Sequence, residues 1–171
     1  MTDTGAVTDV PPPTRRLTFR RMVEDDLDAM ARLLGDPVVM AHYPRPKTRD
    51  EALAWIEWCR RGYARDGFGL WVIEDHDGGF VGDCGLTWQR LDGVDELEVG
   101  YHVVADRQGE GLGSEAAAAC VDFARSRGVE RVIAIIRPDN RASRRVAEKV
   151  GLELDRTSVM HDLDVVVYAR G

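Results

Sequence analysis

The sequence predicts an α/β domain organised around a mixed, mostly antiparallel sheet. Two observations predict it. Between residues 68 and 104 lie three strand-like runs separated by Asp/Gly turns, the last of them alternating from face to face, the pattern of an antiparallel meander. After residue 104 the pattern becomes helix, strand, helix, and the strand (residues 131–136) is a β-branched apolar run suited to a sheet covered on both faces.

The elements follow in order. Residues 1–14 are small and polar, include Pro11-Pro12-Pro13, and read as a flexible tail ahead of one domain at 15–171. Leu17-Thr18-Phe19-Arg20 alternates as a first strand. Glu24, Asp25 and Asp26 suit a helix N-terminus; Leu27, Met30, Ala31 and Leu34 follow at helical spacing and Gly35 stops the helix. Pro37, Pro44 and Pro46 mark a loop with room for a short helical piece at 38–42. Thr48-Arg49-Asp50-Glu51 is a capping box, opening a helix that directs Leu53, Ile56, Cys59 and Tyr63 to the core. Strands at 68–74, 80–89 and 96–104 form the meander. On the last, Leu97, Val99, Tyr101 and Val103 share one face and Glu98, Gly100 and His102 the other. A glycine-rich loop leads into a helix at about 113–127, with Leu112, Ala116, Ala119, Cys120 and Phe123 at core spacing and Gly128 after it. Asn140 caps a helix at about 141–150 that Gly151 ends. Strands at 152–154 and 159–169 close a β-α-α-β-β-β-α-β-α-β-β order.

The bulk numbers exclude several classes. A chain of 171 residues suits one core. Its 44% hydrophobic and 31% charged residues argue against disorder. The net charge of −7 argues against nucleic acid as a partner. It is compatible with cationic substrates such as amines, though acidity serves solubility equally well. Cys59, Cys84 and Cys120 are odd in number and widely spaced, without a C-x-x-C, so neither a disulfide framework nor a metal site is expected. No apolar run is long enough to span a membrane and no signal segment is apparent, so the expected location is the cytoplasm.

The most informative segment is Arg107-Gln108-Gly109-Glu110-Gly111-Leu112-Gly113-Ser114, between a strand and a helix. Glycines at alternate positions let backbone amides approach a ligand without Cβ obstruction. The helix start adds unsatisfied N–H groups and a positive dipole end, so the segment can form a phosphate cradle to which Ser114 adds a hydroxyl. It is not a P-loop, because no lysine precedes Ser114. It is not a dinucleotide fingerprint either: the third glycine comes one position early and no acid follows about 20 residues on. A ligand-free glycine turn is the plain alternative.

With these residues in view, the sequence resembles the GCN5-related N-acetyltransferases. Gln108-Gly109-Glu110-Gly111-Leu112-Gly113 fits that family's Q/R-x-x-G-x-G/A motif. A second block, Asn140-Arg141-Ala142-Ser143-Arg144-Arg145-Val146-Ala147-Glu148-Lys149-Val150-Gly151-Leu152, is similar to its N-x-x-[AS]-x-x-L-x-E-K-x-G-F pattern. Arg16-Leu17-Thr18-Phe19-Arg20, Phe80-Val81-Gly82-Asp83-Cys84-Gly85-Leu86 and Glu98-Val99-Gly100-Tyr101 look like the Rim-type branch, the ribosomal-protein N-terminal acetyltransferases.

The resemblance implies a six- to seven-stranded sheet flanked by helices, with the fourth and fifth strands splayed around acetyl-CoA. Pantetheine would pair with backbone groups of Tyr101, His102 and Val103, and the diphosphate would sit on the amides of Gln108 to Ser114. Asn140 would contact the pantetheine arm near the sulfur, and a helix N-cap is its other reading. The acceptor would be a primary amine, on a protein N-terminus or a small molecule. An alkylammonium must lose a proton before it attacks, and Glu98 is the candidate base, with His102 behind it. Val103 N–H would face the oxyanion. The tyrosine that many members place after the Val146 position is Ala147 here, so Ser143 takes its place as candidate acid. Arg141, Arg144 and Arg145 could meet the 3′-phosphate of CoA, or form a solvated helix face. Trp55, Trp58, Trp71 and Trp88 could line the acceptor pocket or pack the core. C-terminal edge strands allow a homodimer. A CoA-binding module without turnover is the rival reading.

Overall fold

A computed structural model describes residues 8–171; residues 1–7, half of the expected tail, lie outside the described residues. Seven strands form one sheet in the order β1-β2-β3-β4-β5-β7-β6: β1 (Leu17–Arg20), β2 (Leu70–Asp75), β3 (Phe80–Leu91), β4 (Val94–Val103), β5 (Val132–Ile136), β6 (Glu153–Met160) and β7 (Leu163–Arg170). All neighbours run antiparallel except β4 and β5. Four helices flank the sheet: α1 (Leu27–Leu34), α2 (Arg49–Asp66), α3 (Leu112–Ser126) and α4 (Arg141–Lys149).

Local chemistry accounts for most element boundaries. At the start of α2, Glu51 N–H donates to Thr48 Oγ1 at 3.2 Å and Thr48 N–H to Glu51 Oε1 at 3.0 Å, the reciprocal bonds of the capping box. The buried stripe of α2 is Ala52, Ile56, Cys59 and Tyr63; Leu53, expected inside, is half-buried because Ala52 holds the core position on that turn. In α3, Leu112, Ala116, Cys120 and Phe123 are buried as expected. Ala119 is half-buried, and Ala117, Val121 and Ala124 broaden the packed face. The acids 24–26 form a 3-10 turn before α1 rather than its first turn, and buried Asp26 accepts from Arg20 at 2.7 Å. Residues 37–42 form hydrogen-bonded turns that do not extend into a helix.

The C-terminal expectation changes most. Residues 153–170 are one hairpin, turning at His161 (φ 49°) and Asp162 (φ 62°) between the paired Met160 and Leu163. Positive φ at both central residues is a type I′ turn, made here without the glycine that usually announces one. It makes β6 a sheet edge, with Leu154 and Val159 exposed.

Two features position the site. Successive side chains of β4 point to opposite faces: His102 meets Trp55 of α2, and Tyr101 meets Gly113 at the start of α3. Helices α2 and α3 therefore cover opposite faces of the sheet. The parallel pairing of β4 with β5 stops after Leu97↔Val132 and Glu98↔Ile133, while β4 continues to Val103 and β5 to Ile136. Beyond Glu98 the two strands splay, and the edge of β4 is open.

Candidate active site

Two clefts meet at the splay. The first, of about 380 Å³, runs over the glycine loop and α4. The second, of about 420 Å³, opens on the other side, toward α2 and the β6–β7 hairpin. His42, Tyr43, Tyr101, His102, Asn140 and Ser143 line both.

The first cleft is shaped by the loop. Gly109 and Gly111 both have φ of 81°, a left-handed conformation that glycine adopts without strain. Among the described residues, the amides of Gly109, Glu110 and Gly111 have no backbone carbonyl partner, and the first amides of α3 have no intrahelical acceptor. Gln108, Gly109, Gly111, Leu112, Gly113 and Ser114 line the cleft. Glu110 does not: its carboxylate pairs with Arg107 at 3.1 Å and its carbonyl accepts from Arg16. The opposite wall is one face of α4, with Ala142, Arg145, Val146 and Lys149 at positions i, i+3, i+4 and i+7. Of the three arginines expected there, only Arg145 lines the cleft. Arg144 is turned to the Tyr168 hydroxyl at 3.0 Å, and Lys149 completes the cationic pair.

The peptide groups of β4 sort by parity. Val104 N–H donates to Val81 O, and the His102 carbonyl faces Gly82 on β3. Peptide groups of alternate residues thus bond β3, while those of Tyr101 and Val103 face the open gap. The His102 backbone is held in the β3 ladder, against the expectation that it would pair with a ligand; its side chain is what reaches the clefts. Gln108 Nε2 donates to Val103 O at 3.0 Å and ties the loop to the strand end.

At the junction, Asn140 Oδ1 caps α4 by accepting Ser143 N–H at 3.1 Å, leaving Nδ2 without a partner among the described residues. Tyr101 donates its hydroxyl to Ser143 O at 2.9 Å. The Ser143 hydroxyl itself makes no hydrogen bond among the described residues.

Glu98 sits in the wedge of the splay, where its Oε2 accepts Ile135 N–H at 3.3 Å. It lines the second cleft only. Burial pushes its carboxyl up to about 7, against the Ile135 N–H bond and nearby His102, which favour the anion. His102 belongs to a separate chain. Its Nδ1 lies 2.7 Å from Oδ1 of fully buried Asp83, and its Nε2 lies 2.7 Å from the Tyr43 hydroxyl. In the neutral ring the carboxylate places the proton on Nδ1, so Nε2 accepts from Tyr43. Asp83 also accepts Trp55 Nε1–H at 3.1 Å, and one buried acid thus orients three cleft side chains on three elements. Of the four tryptophans, Trp55 and Trp58 line the second cleft. Trp71 is buried between Tyr63 and Phe123, and Trp88 faces solvent.

Tyr43 lies outside every motif read from the sequence, and Asp83, Arg107 and Lys149 lie within quoted motifs that assign them no role. Among the described residues no cluster of His, Cys, Asp or Glu could hold a metal ion, and no helix is long and apolar enough to cross a membrane. Cys84 and Cys120 are buried free thiols with their sulfurs 3.6 Å apart.

Comparison with known proteins agrees with this geometry. The family model described as "Acetyltransferase (GNAT) domain" matches residues 16–153. YkkB of Bacillus subtilis, a protein without an assigned activity, is 34% identical over 92% of this chain and 93% of its own length. Among solved structures, YncA from Salmonella typhimurium with its cofactor acetyl-CoA is similar at TM-score 0.68 and 25% identity, covering 90% of this chain and 92% of its own. RimL, a ribosomal L7/L12 alpha-N-protein acetyltransferase in complex with coenzyme A, is similar in fold at TM-score 0.77 and 20% identity over 94% and 96%. The chain belongs to the GNAT acetyltransferase family, as an N-acetyltransferase whose acetyl donor is acetyl-CoA.

Proposed function

We propose that the protein acetylates a primary amine, with Glu98 as general base and Ser143 as the acid that meets the leaving thiolate. The observation that carries this reading is the carboxyl of Glu98: half-buried in the wedge, poised at about 7, and placed in the cleft that meets the donor cleft at Ser143. A base must hold a proton readily yet be ionised at working pH, and a value near 7 meets both needs.

In this reading the diphosphate of the donor rests on the loop amides from Gln108 to Ser114, and Arg145 and Lys149 face its remaining phosphate. The pantetheine arm pairs with the open backbone of Tyr101, since Val103 O is already held by Gln108, and the free Nδ2 of Asn140 reaches the same arm. The acceptor enters from the second cleft as an ammonium, gives a proton to Glu98 directly or through water, and attacks the thioester carbon. Val103 N–H faces the oxyanion, and collapse breaks the C–S bond as the Ser143 hydroxyl hands its proton to sulfur and takes back, directly or through water, the second proton that the nitrogen sheds as the amide forms. The Rim-type sequence features and the likeness to RimL make a protein N-terminus one acceptor to try; small amines are the other.

Thiol release from acetyl-CoA tests the proposal. Turnover with at least one amine of a panel of peptides and small amines, with transfer seen as a mass gain on the acceptor, is expected. CoA binding without transfer to any of them would favour the non-catalytic module. A second test isolates Ser143. Ser143→Ala should lower kcat about 10-fold, a modest effect for a positioned acid because a serine hydroxyl is a weak one. The KM for acetyl-CoA should barely change, and an unaltered kcat removes Ser143 from the chemistry.

A further inference from the structure

The whole chain is acidic, at −7, but the second cleft is not. Glu98 is its one carboxylate, and that group sits deep in the wedge. Two cations line the same cleft. Lys47 places Nζ 5.4 Å from the ring centroid of Trp55. Arg137 is held by donating Nη1–H to the Asp164 carbonyl at 2.7 Å, which leaves the rest of its guanidinium unengaged. Among the described residues neither makes an ion pair with a carboxylate. Their neighbours differ: Arg45 is bound by Glu51 at 2.6 Å, and His42 lies 3.5 Å from Asp139.

Nor do these cations serve the donor. Lys47 and Arg137 line the second cleft only, whereas the cations beside the glycine loop are Arg107, Arg145 and Lys149. The same cleft is lined by the apolar and aromatic side chains of Trp55, Trp58, Leu70, Ile136, Leu163 and Val165, with Thr87 and Gln89 among its uncharged polar residues. The remaining titratable groups facing the cleft are His42, Tyr43, Tyr101, His102 and His161, and none of them adds a carboxylate.

We infer that the acceptor is an amine whose other end is anionic: an ammonium that goes to Glu98, an apolar spacer against the tryptophans, and a carboxylate or similar anion held by Lys47 and Arg137. A free ω-amino acid and the first residues of an acidic peptide share this chemistry. A polyamine does not, although the net charge alone would favour one. The inference rests on the acetyl-transfer reading and adds the acceptor's charge to it.

The test uses the full-length enzyme with saturating acetyl-CoA and acceptors matched in length: n-alkylamines, ω-amino carboxylates and α,ω-diamines of four to six carbons. Peptides differing only in Asp or Asn at the second position form a parallel arm. Expected values of kcat/KM for the ω-amino acids are about 10-fold above the alkylamines and further above the diamines, with the gap narrowing in high salt. The double variant Lys47→Met, Arg137→Met should bring the ratio of acid to alkylamine down toward one through KM. A preference confined to the Asp peptides identifies a protein N-terminus as the source, and a preference among the ω-amino acids a metabolite. Diamines or alkylamines turned over as well as the acids, or a preference the double variant leaves intact, would overturn the inference while acetyl transfer stands. No turnover of any amine would instead remove the reading beneath it.

Discussion

Glu98→Gln should lower kcat by about 10²- to 10³-fold, the usual contribution of a positioned general base, with little change in acetyl-CoA affinity. Glutamine keeps the shape and can still accept Ile135 N–H, so the wedge between β4 and β5 should persist. What it cannot do is take the proton. The wild-type rate should rise with pH through about 7, as Glu98 ionises, and the variant should lose that limb. A variant with wild-type kcat, or one that keeps the limb, would exclude Glu98 as the base.

The same substitution makes an opposite prediction for stability. Glu98 has a folded-state value of about 7, above the 4.5 of the unfolded chain. Between those values the native state holds the proton and the unfolded state does not. The contribution of Glu98 therefore falls as pH rises from about 4.5 to about 7, then levels off. Removing the ionisable group should raise stability above pH 7 by up to about 3 kcal/mol, at the conversion of 1.36 kcal/mol for each unit of displacement. Thermal melts at pH 5 and pH 8 measure this: the variant should gain much more at pH 8 than at pH 5. Slower and more stable together mark a group held in place for chemistry.

How much of this was legible depends on the range over which each feature is decided. The capping box of α2, the Asp92-Gly93 turn and the glycine loop are set by neighbours a few residues apart, and the sequence carries them openly. The face of β4 that bears Glu98 follows from strand alternation. Its raised proton affinity does not, because that comes from the splay of β4 against β5, more than 30 residues on. The His161-Asp162 turn was hidden because it takes a left-handed path without glycine, so residues 159–169 read as one strand. Which arginine of α4 serves the donor cleft was decided by Tyr168 on β7, which holds Arg144 away. The chain from Tyr43 through His102 to Asp83 joins a loop and two strands, and nothing local to any of the three announces the others. Lys47 and Arg137 share a cleft for the same reason: it exists only once α2 and the C-terminal hairpin flank the splay.

Gly111→Val should abolish measurable acetyl-CoA binding. Gly111 is the N-cap of α3 and stands at φ 81°, where a β-branched residue is strongly disfavoured, so the loop must rebuild its path. The cradle needs the amides from Gly109 to Ser114 to converge. Losing two or three hydrogen bonds to an anion, at about 1.5–3 kcal/mol each, lowers affinity by at least about 10²-fold. Strain alone could mimic this by unfolding the protein, and the chain supplies its own control. Gly128, just past the end of α3, has φ 83°, a Cβ there would meet nothing within 4 Å, and the residue lines neither of the two clefts. Gly128→Val carries a similar backbone penalty without touching the loop. Calorimetric titration with acetyl-CoA should therefore show near-native affinity for Gly128→Val and none for Gly111→Val, with comparable losses in melting temperature. Near-native affinity in both variants would show that the loop amides do not hold the diphosphate. Equal loss in both would trace the defect to stability, and single substitutions at Arg145 and Lys149, each expected to weaken binding without lowering the melting temperature, would then test the donor cleft from its opposite wall.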